Sequence, residues 1–349
     1  MTDTSAAAAA YVGNKTIEVL TRPAAELRPG EVEVAPAFTG ICGTDLHILH
    51  GAMDARVTCP AVLGHEMSGT VSRVGPGVSG WSAGDPVTVV PLVWDGTCPA
   101  CLAGNSHICQ NLNFIGIDSP GAMQQRWVVP ADTLLRLPAG LPLDVAALVE
   151  PTAVAVHSVG RAELRAGERV LVVGGGPVGL LVALVARLGG ADVRLAEVSA
   201  YRRGLAASFG LEVLDPATED IPAVVTEWTG GAGAALAFEV SGAAAGLTTA
   251  VDSLAVRGRL CVVAVHPVPR EVNLHRFFWR ELTLVGTRLY TRPDWERAVA
   301  LISAGDIPAR ALISAVLPLG AAPDAFAALE GGGDVMKVLV DCQATGTAG

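Results

Sequence analysis

Charge is scarce in this chain: only 17% of its 349 residues are Asp, Glu, Lys or Arg, and aromatic residues make up 5%. The 24 Lys and Arg are outnumbered by 34 Asp and Glu, which leaves a formal net charge of −10. That deficit of cations excludes a general nucleic-acid binder, because phosphate affinity comes from neutralisation by Lys and Arg. Small neutral or cationic partners fit better. Disorder is excluded as well, since a 51% hydrophobic content supplies the apolar surface that offsets chain entropy. An unbroken apolar run of membrane length is missing. The longest uncharged stretch, Val170 to Ala186, contains Gly174-Gly175-Gly176-Pro177, which would break a spanning helix, so no membrane partner is expected. No basic residue precedes Ala6 to Ala10, so this segment lacks the charged start of a signal peptide and reads as a frayed leader. The 7 cysteines are odd in number and uneven in spacing: Cys98, Cys101 and Cys109 cluster, while Cys42, Cys59, Cys261 and Cys342 stand apart. Without an export signal, such clustering favours metal ligation over disulfides and points to the cytoplasm.

What is present suggests two domains, because single cores stop growing at roughly 250–300 residues. From Ile17 to Val149 short alternating runs such as Glu31-Val32-Glu33-Val34 are punctuated by Gly75-Pro76-Gly77 and Gly84-Asp85-Pro86, the texture of an antiparallel β domain. Near Glu168 the texture changes. An apolar β run at Val170–Val173, a glycine turn, a helix-length segment at Val178–Leu188 and a second β run at Asp192–Val198 make a βαβ unit. The alternation continues through Ala200–Phe209, Leu211–Leu214, Leu236–Val240, Arg259–Val265 and Leu282–Leu289, which predicts a parallel, doubly wound sheet. Arg292–Ala304 reads as an amphipathic helix, and the β run Val335–Val340 is expected to return to the first domain.

Gly174-Gly175-Gly176-Pro177-Val178-Gly179 fits G-x-G-x-x-G between a strand and a helix. There, backbone N–H groups and the positive helix end would face a pyrophosphate. Glu197 ends the next strand about 20 residues on, where a carboxylate accepts hydrogen bonds from the ribose of NAD and repels the 2′-phosphate of NADP. Arg202 and Arg203 run against that preference, since either could meet a 2′-phosphate; NAD is the favoured cofactor and NADP the lesser one.

Cys42, Thr44, Asp45 and His47 stand in Gly40-Ile41-Cys42-Gly43-Thr44-Asp45-Leu46-His47, followed by Gly64-His65-Glu66 and later by Glu150-Pro151. A thiolate, an imidazole and a carboxylate are the ligand types of a catalytic zinc, which needs three protein ligands and an open position. Cys42 and one glutamate would cancel the charge of Zn²⁺ while His65 stays neutral. Either Glu66 or Glu150 could supply the carboxylate.

Taken jointly, these motifs, with Val149-Glu150-Pro151 and Glu281-Leu282-Thr283-Leu284-Val285-Gly286, resemble the zinc-dependent medium-chain alcohol dehydrogenases, in particular the 2,3-butanediol, sorbitol and threonine dehydrogenase branch. The resemblance runs from about Ile17 to Val340. It implies an α/β fold: a GroES-like, β-rich catalytic domain from residues 1–152 and 290–349, and a Rossmann NAD-binding domain over 153–289. It implies a catalytic zinc on Cys42, His65 and a glutamate, with Glu66 and Glu150 at positions that exchange or act through water. Thr44 would contact the alcohol oxygen, His47 complete a proton path through the cofactor ribose, and Asp45 support His65. The glycine turn (Gly174, Gly176, Pro177, Val178, Gly179), Glu197 and Arg202 would bind the dinucleotide. In the family a second lobe holds a structural zinc on four cysteines; here Asp95 takes the first position ahead of Cys98, Cys101 and Cys109, a departure that leaves a site of one carboxylate and three thiolates. Homodimers or homotetramers are implied, joined near Val262–Val268 and Leu282–Leu289.

The expected reaction is hydride transfer between NAD and a secondary alcohol, diol or polyol and its ketone. Reduction of an imine or a conjugated double bond is the alternative on the same scaffold. A non-catalytic NAD- and zinc-binding protein is a third reading, against which the coincidence of Cys42, Thr44, His47, His65, Glu66 and Glu150 argues. Cys59, Cys261 and Cys342 read as ordinary thiols, and His157, His266 and His275 as makers of local hydrogen bonds. Of Trp94, Phe114 and Trp127, one at most is expected to line a substrate pocket.

Overall fold

In the computed structural model, which describes residues 5–344 and residue 346, the alanine-rich start of the chain is a strand and not a frayed leader. Ala6–Tyr11 pairs antiparallel with Ile17–Arg22 and, through Ala10 and Tyr11, with Ala61–Val62. Alanine prefers helices in isolation, but pairing on both edges and burial of Ala8, Ala9 and Ala10 override that preference.

Two units divide the chain, one running to Glu150 and resuming at Ala298, the other spanning Pro151–Arg297. In the first, the strands Leu134–Arg136, Pro86–Val89, Glu66–Val74, Glu31–Gly40, Lys337–Asp341 and Ile313–Pro318 lie in that order in one sheet, and Trp127–Pro130 pairs onto Glu31–Gly40. The C-terminal strand therefore closes on the N-terminal half, with Leu339 opposite Gly40 and Val340 opposite Thr39. Alternate residues of these strands, including Val32, Val34, Met67, Val71, Val87 and Val89, build the core. The same sheet buries Glu33, which accepts from Ser72 Oγ at 2.7 Å and Arg126 Nη2 at 3.1 Å and is clasped by Arg73.

The second unit is a parallel sheet ordered Glu212–Leu214, Asp192–Ala196, Arg169–Val173, Ala234–Glu239, Leu254–Val262, Thr283–Gly286. Val170 to Val173 are all buried, as befits a strand covered on both faces. Helix Pro177–Leu188 starts with proline at its first position, where a missing N–H costs nothing, and buries Gly179 to Ala186. The progression of strands reverses between Arg169–Val173 and Ala234–Glu239, the switch point at which doubly wound sheets open a crevice. Among the described residues one helical stretch, Leu143–Arg161, has the length and hydropathy to cross a membrane, but 61% of its most apolar 18-residue window is buried within the protein, as in a core helix.

Candidate active site and metal centres

Helix Gly43–Leu49 places Cys42, Thr44, Asp45 and His47 within two turns. Cys42 caps this helix, and Asp45 reaches back so that its Oδ2 accepts from the Cys42 N–H at 2.8 Å, fixing the residue that bears the thiol. The other oxygen, Oδ1, lies 3.8 Å from His65 Nδ1, and neither atom has a hydrogen-bond partner. One buried carboxylate thus aligns a thiol and faces an imidazole.

The ligand atoms of Cys42, His65 and Glu66 all lie within 4.8 Å of one another. Thr44 Oγ1 is 3.9 Å from Cys42 Sγ, His47 follows on the same helix, and the Phe114 ring is 5.1 Å from the His65 ring. Glu150, buried in the first turn of helix Val149–Arg161, is not in that triplet, yet its charge acts on His65. Burial would push the His65 imidazole down, but Asp45, Cys42 and Glu150 outweigh it and hold the group up at about 10. Anionic groups so dense around one imidazole form a donor set that a divalent cation matches, and the unpartnered Asp45 Oδ1 and His65 Nδ1 are the pair that would lock the ring once its other nitrogen binds a metal.

The structure adds Lys337, which the sequence reading did not single out. The residue is 3% exposed, and its ammonium donates to Glu66 Oε1 at 2.9 Å, Glu66 Oε2 at 2.7 Å and Ile41 O at 3.1 Å. Burial pushes Lys337 down, and Glu66, Cys42 and Glu150 more than offset that, so its pKa is raised. The signal was a lone lysine inside the apolar run Met336–Val340, since a charge is rarely enclosed without a partner.

The second cluster also assembles. Asp95, Cys98, Cys101 and Cys109 present ligand atoms within 4.8 Å of one another. Backbone N–H groups of Cys101 and Gln110 point to Cys98 Sγ at 3.5 and 3.4 Å, and that of Asn111 to Cys109 Sγ at 3.3 Å. Gln110 and Cys101 N–H groups hold the Cys98 thiol below its ordinary value, whereas burial and the sulfurs of Cys98 and Cys109 push Cys101 up to about 11. Donors aimed at sulfur suit thiolates, so the set fits zinc. Asp95 accepts from the Thr97 and Cys98 N–H groups at 2.8 and 2.9 Å and from Asn111 Nδ2 at 2.6 Å, and the Cys98 N–H, Asn111 and Thr97 together hold its carboxyl well below the usual range.

At the glycine turn a Cβ on Gly179 would sit 1.9 Å from Gly174 O, so helix and strand pack closer than any side chain permits. Gly174 itself has φ +101°, open to glycine. Glu197 Oε2 accepts from Gly175 N at 2.6 Å and Oε1 from Ser199 N at 2.7 Å. The carboxylate is thereby fixed above the turn. Arg202 adjoins Gly176, with Nη1 3.8 Å from where its Cβ would be, while Arg203 is held by Asp215 at 2.7 Å and by the Glu197 and Val198 carbonyls. Trp94 is half exposed, Trp127 is buried with its indole N–H on Pro120 O at 2.8 Å, and Phe114 is the one of the three aromatics whose ring packs on His65 of the first cluster among the described residues. His157, His266 and His275 make side-chain bonds to Asp294, Glu239 and Trp279.

A β-rich unit that carries both ligand clusters and a Rossmann unit that carries the glycine turn are the division of labour found in medium-chain alcohol dehydrogenases, and comparison with known proteins agrees. Residues 28–139 match the alcohol dehydrogenase GroES-like domain and residues 177–304 the zinc-binding dehydrogenase domain. The chain belongs to the zinc-dependent medium-chain alcohol dehydrogenase family and is an oxidoreductase acting on an alcohol group. It is 46% identical over 337 residues to 2-dehydro-3-deoxy-L-galactonate 5-dehydrogenase of Pseudoalteromonas atlantica, covering 97% of this chain and 99% of that one. It is 32% identical to L-galactonate-5-dehydrogenase of Escherichia coli, over 85% of this chain and 88% of the relative. Among solved structures, a zinc-binding dehydrogenase of Sinorhizobium meliloti bound to NADP superposes with TM-score 0.91 at 31% identity, covering 97% of this chain and 99% of that one.

Proposed function

We propose that this enzyme transfers hydride between NAD and a secondary hydroxyl of a sugar acid, with Cys42, His65 and Glu66 holding the zinc beside which that hydroxyl sits. The observation that carries the reading is the convergence of those three ligand atoms within 4.8 Å, with the Thr44 hydroxyl 3.9 Å from the thiol sulfur. When bound, zinc would supply Lewis acidity and the dinucleotide a hydride acceptor. The chain's own residues do the rest. Thr44 Oγ1 takes the substrate hydroxyl proton and His47, on the same helix, passes it onward. Asp45 fixes the tautomer and orientation of His65. Lys337 neutralises Glu66 in the absence of a cation, and Glu150 is the reserve carboxylate. Asp95, Cys98, Cys101 and Cys109 hold a structural zinc, with Asn111 orienting the aspartate.

NAD is favoured over NADP because Glu197 holds a fixed carboxylate where a 2′-phosphate would come, and Arg203 is already paired with Asp215. The sugar-acid class comes from two relatives whose names place their chemistry on galactonate-type acids. A second copy of the chain is the proposed cover for the unpaired edge strand Thr283–Gly286 and its neighbours Leu274, Phe278 and Trp279, the last two being 76% and 68% exposed. Seven free thiols support a reducing, cytoplasmic setting.

The test is a panel of aldonates, 3-deoxy-2-ketoaldonates, neutral polyols and diols offered with NAD and NADP to protein of measured zinc content. Reduction of NAD by a sugar acid, faster than by polyols lacking the carboxylate, is expected. Silence across all alcohols in zinc-loaded protein would overturn the reading; turnover of neutral polyols alone would overturn the substrate class, and preference for NADP would overturn the role given to Glu197.

A further inference from the structure

The most enclosed acid of the Rossmann unit has no part in the chemistry above. Glu239 is the last residue of the strand Ala234–Glu239, is 0% exposed, and sits at the switch point of the sheet. An ionised carboxylate is costly to bury unless donors fill its lone pairs. Here Oε1 accepts from Ser241 N at 2.9 Å, Ser241 Oγ at 2.5 Å and Gly242 N at 3.0 Å, and Oε2 faces His266 Nε2 at 2.9 Å. His266 Nδ1 in turn accepts from Arg270 Nε at 3.4 Å, so the imidazole carries its proton on Nε2 and donates it to Glu239.

This chain of bonds links three segments, each following a strand's carboxyl end. Ser241 lies against the phosphate turn: a Cβ on Gly174 would be 2.8 Å from Ser241 N and 2.9 Å from its Cα. Gly242 lies against the segment that carries His266, its Cβ position 3.5 Å from Val265 O. The chain ends on Arg270, which is partly buried and whose terminal nitrogens meet no protein acceptor among the described residues. Its terminal nitrogens stay free in the segment that follows the carboxyl end of strand Leu254–Val262, the end of the sheet at which doubly wound folds take their ligands, and a planar guanidinium fork suits a pyrophosphate.

We propose that Arg270 is an anion-binding arm for the dinucleotide pyrophosphate and that Glu239 and His266 are positioning residues that hold it. The proposal rests on the dinucleotide reading above. Its test is equilibrium binding of NADH, ADP-ribose and adenosine to zinc-loaded protein. Arg270→Ala is expected to weaken NADH and ADP-ribose about tenfold, the loss of one charge-assisted bond, and to leave adenosine binding, zinc content and melting temperature unchanged. Arg270→Lys restores part of the loss, because it keeps the charge without the fork. His266→Ala weakens ADP-ribose similarly, and the double variant is little worse than either single one, as expected of residues acting in series. Unchanged ADP-ribose affinity in Arg270→Ala, with the wild type binding normally, would overturn this proposal alone. Failure of the wild type to bind ADP-ribose would overturn the dinucleotide reading and the proposal with it.

Discussion

Replacing Lys337 by Met removes the ammonium while keeping most of the side-chain volume. Three donated bonds disappear, two to Glu66 and one to Ile41 O, and the Glu66 carboxylate, 1% exposed, is left without its cation. Breaking one half of a buried ion pair costs about 3–5 kcal/mol, most of it the stranded charge and not the lost attraction. For a unit of this size that is a fall of roughly 6–20 °C in melting temperature. The assay is thermal unfolding of metal-free protein, with Glu66→Met and the double variant completing a cycle. The double variant should recover most of the loss, since an apolar pair of similar volume is often as stable as the ion pair it replaces. Zinc loading should shrink the effect of Lys337→Met, because a cation beside Glu66 takes over the neutralisation. A melting temperature within a degree or two of wild type, in metal-free Lys337→Met, would refute the reasoning.

Two more predictions concern the same β unit. Burial pushes Glu33 up, but Arg73, Ser72 and Arg126 together hold its carboxyl below the ordinary value. The stability it contributes is therefore complete above the unfolded-chain value, about 4.3, and is lost as pH falls through the depressed native value. Urea unfolding as a function of pH should show a shallower acid limb for Glu33→Gln than for wild type; equal slopes would contradict this. Asp95→Ala removes the acceptor for Thr97, Cys98 and Asn111 and one member of the second cluster, so metal analysis after dialysis against a mild chelator should find about one zinc fewer than in wild type, as expected of a ligand lost from a structural site. Equal zinc retention would mean that the three thiolates suffice.

The features legible in the sequence were those carried by local pattern. Strand Arg169–Val173 is continuously apolar and leads into a glycine turn, so strand, turn and helix could be read together, and Glu197 stood one strand further on. Cys42, Thr44 and His47 share one short helix, so their grouping too is local. Distances across the fold were not legible. Whether Glu66 or Glu150 joins Cys42 and His65 depends on where a sheet and a helix meet, and residue type is silent on that. The partners of Glu66 and Glu239, Lys337 and His266, lie 271 and 27 residues away. The helices Ile221–Trp228, Ala244–Asp252 and Leu274–Arg280 escaped notice because they are short and two of them are rich in small or β-branched residues, so tertiary packing holds them more than propensity does. The alanine segment at the start reads as a frayed leader because alanine carries no strand signal of its own; pairing with Ile17–Arg22 is what makes it a strand.

The central claim, that a metal beside Cys42 and His65 is what makes the alcohol reactive, is tested most directly by following NADH formation while zinc is removed from the wild-type protein and then restored, with Cys42→Ser carried in parallel. Activity of the wild type should vanish with the metal and return with stoichiometric zinc, while Cys42→Ser binds NADH yet stays inactive. Turnover that persists in fully metal-free wild type, or that Cys42→Ser retains, would contradict the account.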